Sequence, residues 1–123
     1  MGEMKRLVRS FGYALEGIAY TIKTQRNMQI HVGAAILALG ASWLLQVTWD
    51  RVLLVFFSIF LVLILEIVNT AIEATVDLVT AEFHPLAKIA KDAAAGAVLM
   101  AALLSFIVGI YVFSGPLLKV LNF

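Results

Sequence analysis

Four polar side chains, Glu66, Asn69, Glu73 and Asp77, recur at offsets of 0, 3, 7 and 11 beside a long apolar run. At about 100° per residue a helix gathers them into an arc of about 80°. One helix face then carries three carboxylates and an amide. Glu73 and Asp77, one turn apart, suit a hard divalent cation, which prefers oxygen ligands. Glu66, partly desolvated, suits a general base. Downstream, Glu82-Phe83-His84-Pro85 leads to Lys88 and then Lys91-Asp92. Pro85 marks a turn or a first helical position. Lys91 falls near a helix start, where anions are favoured, and suits neutralisation of phosphate charge. The plainer alternative is a helix end in water, its acids solvated or paired to lysine and its lysines snorkelling. His31 and His84 make no metal pair at helical spacing and read as interfacial polar residues.

The elements that must hold this cluster are set by composition. The chain has 123 residues, 63% hydrophobic and 14% charged, with net charge +1, no cysteine and mean hydropathy +1.01. Soluble domains carry about 25% charged residues. An ordinary soluble enzyme, a disordered chain and a nucleic-acid binder are therefore excluded, as are disulfides and thiolate sites. The expected class is an all-α membrane protein forming one domain over residues 1–123. Charge is absent from Val32 to Trp49, from Val52 to Leu65 and from Ala93 to Leu118. A helical span needs about 17–25 residues. Three transmembrane helices are expected, over about 28–49, 52–72 and 93–115, with an outer turn at Thr48–Arg51. Gly115-Pro116 reads as a stop for the last. Residues 4–25 read as an amphipathic surface helix, with Leu7, Phe11, Leu15, Ile18 and Ile22 on one face. The start of the chain reads as neither a signal peptide nor a myristoylation site.

Depth reconciles the acids with the membrane. An acidic residue at mid-span costs about 2.5–3.5 kcal/mol, and a large apolar residue returns about 0.3–0.6. Three acids at mid-depth would cancel the gain from the thirteen apolar residues of Val52–Leu65. A rise of about 1.5 Å per residue instead places Glu66 about 21 Å from Val52 and Glu73 about 31 Å. Glu66 then lies in one leaflet, Glu73 at its edge and Asp77 in headgroups or water. Seven basic residues (Lys5, Arg6, Arg9, Lys23, Arg26, Lys88 and Lys91) fall on this side and two, Arg51 and Lys119, on the other. That asymmetry makes the acidic end cytoplasmic. Trp43, Trp49 and Tyr111 suit the opposite interface.

The run Glu66-Ile-Val-Asn69-Thr-Ala-Ile-Glu73-Ala-Thr-Val-Asp77 resembles the signature of the small bacterial membrane kinases, the diacylglycerol kinase and undecaprenol kinase family. Glu82-Phe-His-Pro-Leu-Ala-Lys-Ile-Ala-Lys91-Asp92 and Phe11-Gly-Tyr13-Ala-Leu-Glu-Gly17 extend the likeness over nearly the whole chain. The His-Pro-Leu-Ala-Lys wording resembles the undecaprenol kinase branch. The resemblance implies a homotrimer in the cell membrane, with active sites shared between subunits. It implies transfer of the γ-phosphate of ATP, with magnesium, to a lipid alcohol at the cytoplasmic face: undecaprenol first, diacylglycerol as the alternative. By the same resemblance Glu66 is the base, Glu73 a magnesium ligand, and Asn69 and Asp77 orient base and metal. Arg6, Tyr13, Glu82, Lys91 and Asp92 match nucleotide-contacting positions, with Phe83 and His84 flanking.

One position departs from that pattern. Gln25 stands in Lys23-Thr-Gln25-Arg26-Asn27 where the family usually carries a glutamate as a second magnesium ligand. Glutamine offers a carbonyl oxygen without the charge, which implies weaker metal affinity. Two rival classes fit the sequence less well. An ion-transport subunit would carry polar residues on the other spans, where Ser42, Gln46 and Ser105 are few. A scaffold packing through Ala95-Gly96-Ala97 leaves the carboxylate stripe unexplained.

Overall fold

A computed structural model describes residues 2–123 as four helices. They are α1 (Glu3–Thr24), α2 (Arg26–Leu44), α3 (Trp49–Val79) and α4 (Pro85–Val120). The all-helical expectation holds, and α1 agrees within a residue with the amphipathic stretch read from sequence. Its apolar residues Leu7, Phe11 and Leu15 are exposed, facing away from the other helices. Helices α3 and α4 are long and apolar enough to cross a membrane. They pack chiefly on each other, with α2 against α3. Ser105 Oγ donates to the Ser58 carbonyl at 3.1 Å, a polar link between α3 and α4.

The helix ends differ from those expected. Helix α2 ends at Leu44, not residue 49, so the connecting turn is Leu45–Thr48 rather than Thr48–Arg51. Gln46 adopts φ 52°, and Val47 N–H reaches back to the Ser42 carbonyl at 3.0 Å. This left-handed closure ends α2 in a position usually given to glycine. Trp49 therefore opens α3. Helix α4 runs through Gly115-Pro116 to Val120, overturning the stop signal. Proline deletes one backbone donor, but continuing the helix keeps the remaining groups of Leu117–Val120 bonded, which an apolar surrounding demands. Beside the α2–α3 turn the Arg51 guanidinium lies 5.2 Å from the Tyr111 ring centroid, tying the start of α3 to α4.

Buried apolar residues are few: Met28, Ala35, Val55, Val62, Val98, Ala101 and Val112 form a thin seam where the helices meet. Large residues such as Phe57, Leu37 and Phe106 remain exposed. That distribution suits a chain whose outer faces meet lipid or other subunits.

Candidate active site

Helix α3 contains no glycine or proline over its 31 residues. The polar stripe therefore rides on one unbroken helix. Glu66 is 2% exposed and Asn69 6%. Asn69 Nδ2 donates to Glu73 Oε1 at 3.3 Å, linking two members of the stripe across one turn. Thr70 Oγ1 returns its hydrogen to the Glu66 carbonyl at 2.9 Å. Glu66 Oε2 and Asn69 Oδ1 are buried and accept no hydrogen bond. Orphaned buried acceptors cost about 1–3 kcal/mol each, so both are suited to an incoming donor. The charged or titratable groups that face Glu66 are His31, from α2, and Glu73.

The lower end of the stripe opens onto a second feature. A cavity of about 400 Å³ lies between the end of α3 and the start of α4. Asp77, Glu82, Phe83, His84, Lys91 and Asp92 all line it. Lys91 Nζ donates to Asp77 Oδ1 at 2.6 Å, joining α4 to α3. Lys88 pairs with Asp92 one turn further along α4. The connecting loop is held by short-range polar bonds. Thr80 Oγ1 donates to the Glu82 carbonyl at 3.1 Å and accepts from Glu82 N–H at 3.2 Å. His84 Nδ1 accepts from Leu86 N–H at 3.1 Å and so caps α4, with Pro85 in the first helical turn. Glu73 lies within electrostatic reach of both Glu66 and Lys91.

The structure thus gathers buried Glu66 and Asn69 with half-buried Glu73, and the six downstream residues around one cavity. Arg6, Tyr13 and Gln25 do not line the cavity. Arg6 pairs with Glu3 at 3.6 Å on α1, and Tyr13 is exposed. Gln25 sits at the α1–α2 junction, where its Nε2 donates to Thr24 Oγ1 at 3.1 Å. Among the described residues, no three acidic or histidine side chains converge as a metal cage. Two neighbours had no site role assigned from the sequence. His31 faces Glu66 from another helix, and nothing local in the sequence signals that approach. Lys88 lines the cavity, three residues before Lys91, and that spacing was visible.

The model of prokaryotic diacylglycerol kinases matches residues 12–113, taking in the stripe, the loop and most of α4. The chain belongs to the prokaryotic diacylglycerol kinase family. It is accordingly an enzyme of the lipid-kinase class. An undecaprenol kinase of Bacillus subtilis (strain 168) is 45% identical over 111 residues, 90% of each chain. A diacylglycerol kinase of Synechocystis is 44% identical over 116 residues, covering 94% of this chain and 66% of that protein. The diacylglycerol kinase of Escherichia coli (strain K12) is 38% identical over 103 residues, 83% of this chain and 84% of that one. Family and undecaprenol kinase branch both agree with the resemblance carried by the motifs.

Proposed function

We propose that this lipid kinase transfers the γ-phosphoryl group of ATP, with magnesium, to undecaprenol at the cytoplasmic face of the cell membrane. The observation that carries the reading is the buried Glu66 carboxylate with an unpartnered oxygen, on the same helix face as a lysine-bearing cavity. Glu66 Oε2 accepts the hydrogen of the lipid hydroxyl. As that oxygen attacks the γ-phosphorus, its proton passes to Glu66 and the bond to the ADP oxygen breaks. Such a transfer needs positioning and charge neutralisation more than covalent help. Asn69 holds Glu73 by its amide and fixes the spacing between base and cavity. Lys91, drawn from Asp77, offsets phosphate charge. Glu82, Phe83, His84 and Asp92 line the nucleotide, and Arg6 and Tyr13, which do not line the cavity within one chain, reach it from α1 of a neighbouring copy.

Magnesium binds through one or two carboxylates together with phosphate oxygens, so no protein cage is required. Glu73 fits that role, with Gln25 supplying a neutral carbonyl oxygen. When bound, the ion offsets phosphate charge.

In the same reading α2, whose 19 residues span about 28 Å, is the first of three transmembrane helices. The loop end faces the cytoplasm, following the seven-to-two split of basic residues. The exposed apolar faces meet lipid and two further copies in a homotrimer. Diacylglycerol is the second reading, supported by relatives of that name at nearly the same identity.

The test offers labelled ATP and magnesium to purified protein in mixed micelles, with undecaprenol and diacylglycerol separately. Labelled undecaprenyl phosphate in excess is expected. Product from diacylglycerol alone would replace the acceptor, and no product from either would end the kinase reading.

A further inference from the structure

We propose that Lys88 is a second phosphate-binding residue of the loop cavity, holding the donor nucleotide beside Lys91. The inference rests on reading that cavity as the nucleotide site and adds a residue to it. Lys88 and Lys91 are three positions apart, on one face of the first turns of α4, and both line the cavity. Residues at that spacing are surface neighbours on a helix.

The placement of Lys88 is hard to explain by helix stability. It sits at the N-terminal end of α4, where the helix dipole disfavours a cation. Its carboxylate partner, Asp92, follows it by four residues, the less favourable order for an ion pair on a helix. Both side chains of the pair are more than half exposed, and exposed pairs are held weakly. The Lys91–Asp77 pair is also open to solvent. Each lysine is thus held loosely enough to exchange its partner.

Charge in the cavity points the same way. Asp77, Glu82 and Asp92 line it against only Lys88 and Lys91. A triphosphate entering with Lys91 alone would face three carboxylates with one cation. With both lysines turned from carboxylate to phosphate, two ammonium groups meet the anion. Asp77 and Asp92 are then released from their lysines. The anion also answers the positive end of α4, which Lys88 on its own opposes. No covalent change is involved, only an exchange of ion-pair partners.

The experiment measures nucleotide binding and turnover separately on the full chain in mixed micelles. Lys88→Met keeps the aliphatic stem and removes the charge. It is expected to raise both the KM for ATP and the Kd of a fluorescent ATP analogue about tenfold, the loss of one charge-assisted contact. The KM for lipid should stay unchanged and kcat should remain within about twofold, since Lys88 is not asked to act on the reacting atoms. Lys88→Arg should restore most of the affinity. Unchanged nucleotide affinity in Lys88→Met beside a wild type that binds would overturn the role of Lys88 and leave the kinase reading standing. A rise confined to the lipid KM would overturn it as well. A wild type that binds no nucleotide would sink both together. Thermal unfolding of each variant separates loss of contact from loss of fold.

Discussion

Replacing Glu66 by glutamine separates charge from shape. The two side chains are nearly isosteric, and the site is 2% exposed, so the substitution leaves packing intact. It exchanges a carboxylate oxygen without a partner for an amide NH₂ or a neutral carbonyl. Neither can take a proton from an alcohol. General-base catalysis contributes about 10²–10⁴-fold, equivalent to about 3–5 kcal/mol of barrier. Glu66→Gln should therefore lower kcat by at least about 10²-fold. The KM for ATP should change little, because the cavity that holds Lys91 lies further along α3 and α4. The unfolding midpoint should hold or rise, since a buried ionisable group has been made permanently neutral. The assay is transfer of label from ATP to undecaprenol in mixed micelles, with unfolding followed by circular dichroism. A Glu66→Gln enzyme with kcat within tenfold of wild type would refute the base assignment. A large fall in stability would refute the claim that packing is preserved.

Gln25→Glu restores a negative charge at the α1–α2 junction, and activity should reach half-maximum at lower magnesium concentration; an unmoved magnesium titration would remove Gln25 from the metal site. Ser105→Ala deletes the interhelical bond to the Ser58 carbonyl and should destabilise the chain by about 0.6 kcal/mol, at most about 1.7, in detergent unfolding. Gln46→Gly relieves the positive φ in the turn after α2 and should raise stability by about 1 kcal/mol, read by the same unfolding measurement.

The sequence made the α3 stripe legible because helical period converts spacing directly into a common face, and no glycine or proline interrupts it. The amphipathic α1 was legible for the same reason. Helix ends were not. Gln46 closes α2 in a conformation that composition does not mark, and Pro116 passes inside α4 where a soluble chain would have turned. The cavity group of Asp77, Glu82, His84 and Lys91 was legible as a set of residues through motif resemblance. Its mutual geometry, including the Lys91–Asp77 bond and the capping role of His84, was not. His31 is the sharpest case, since an approach between two helices far apart in sequence leaves no periodic trace. Arg6, Tyr13 and Gln25, by contrast, were named by resemblance, and none of them lines the cavity.

Helix α3 is about 46 Å long, from a rise of about 1.5 Å per residue over its 31 residues, against a hydrocarbon layer of about 30 Å. In the proposed topology it acts as a ruler pinned at the Trp49–Arg51 end. The depth of Glu66 is set by that pin, about 22 Å away along the axis from Arg51. Under the proposed function, acyl chain length in the surrounding bilayer decides how close Glu66 comes to the aqueous boundary. A thicker membrane submerges it and a thinner one lifts it outward, so lipid composition becomes a setting on the reaction itself.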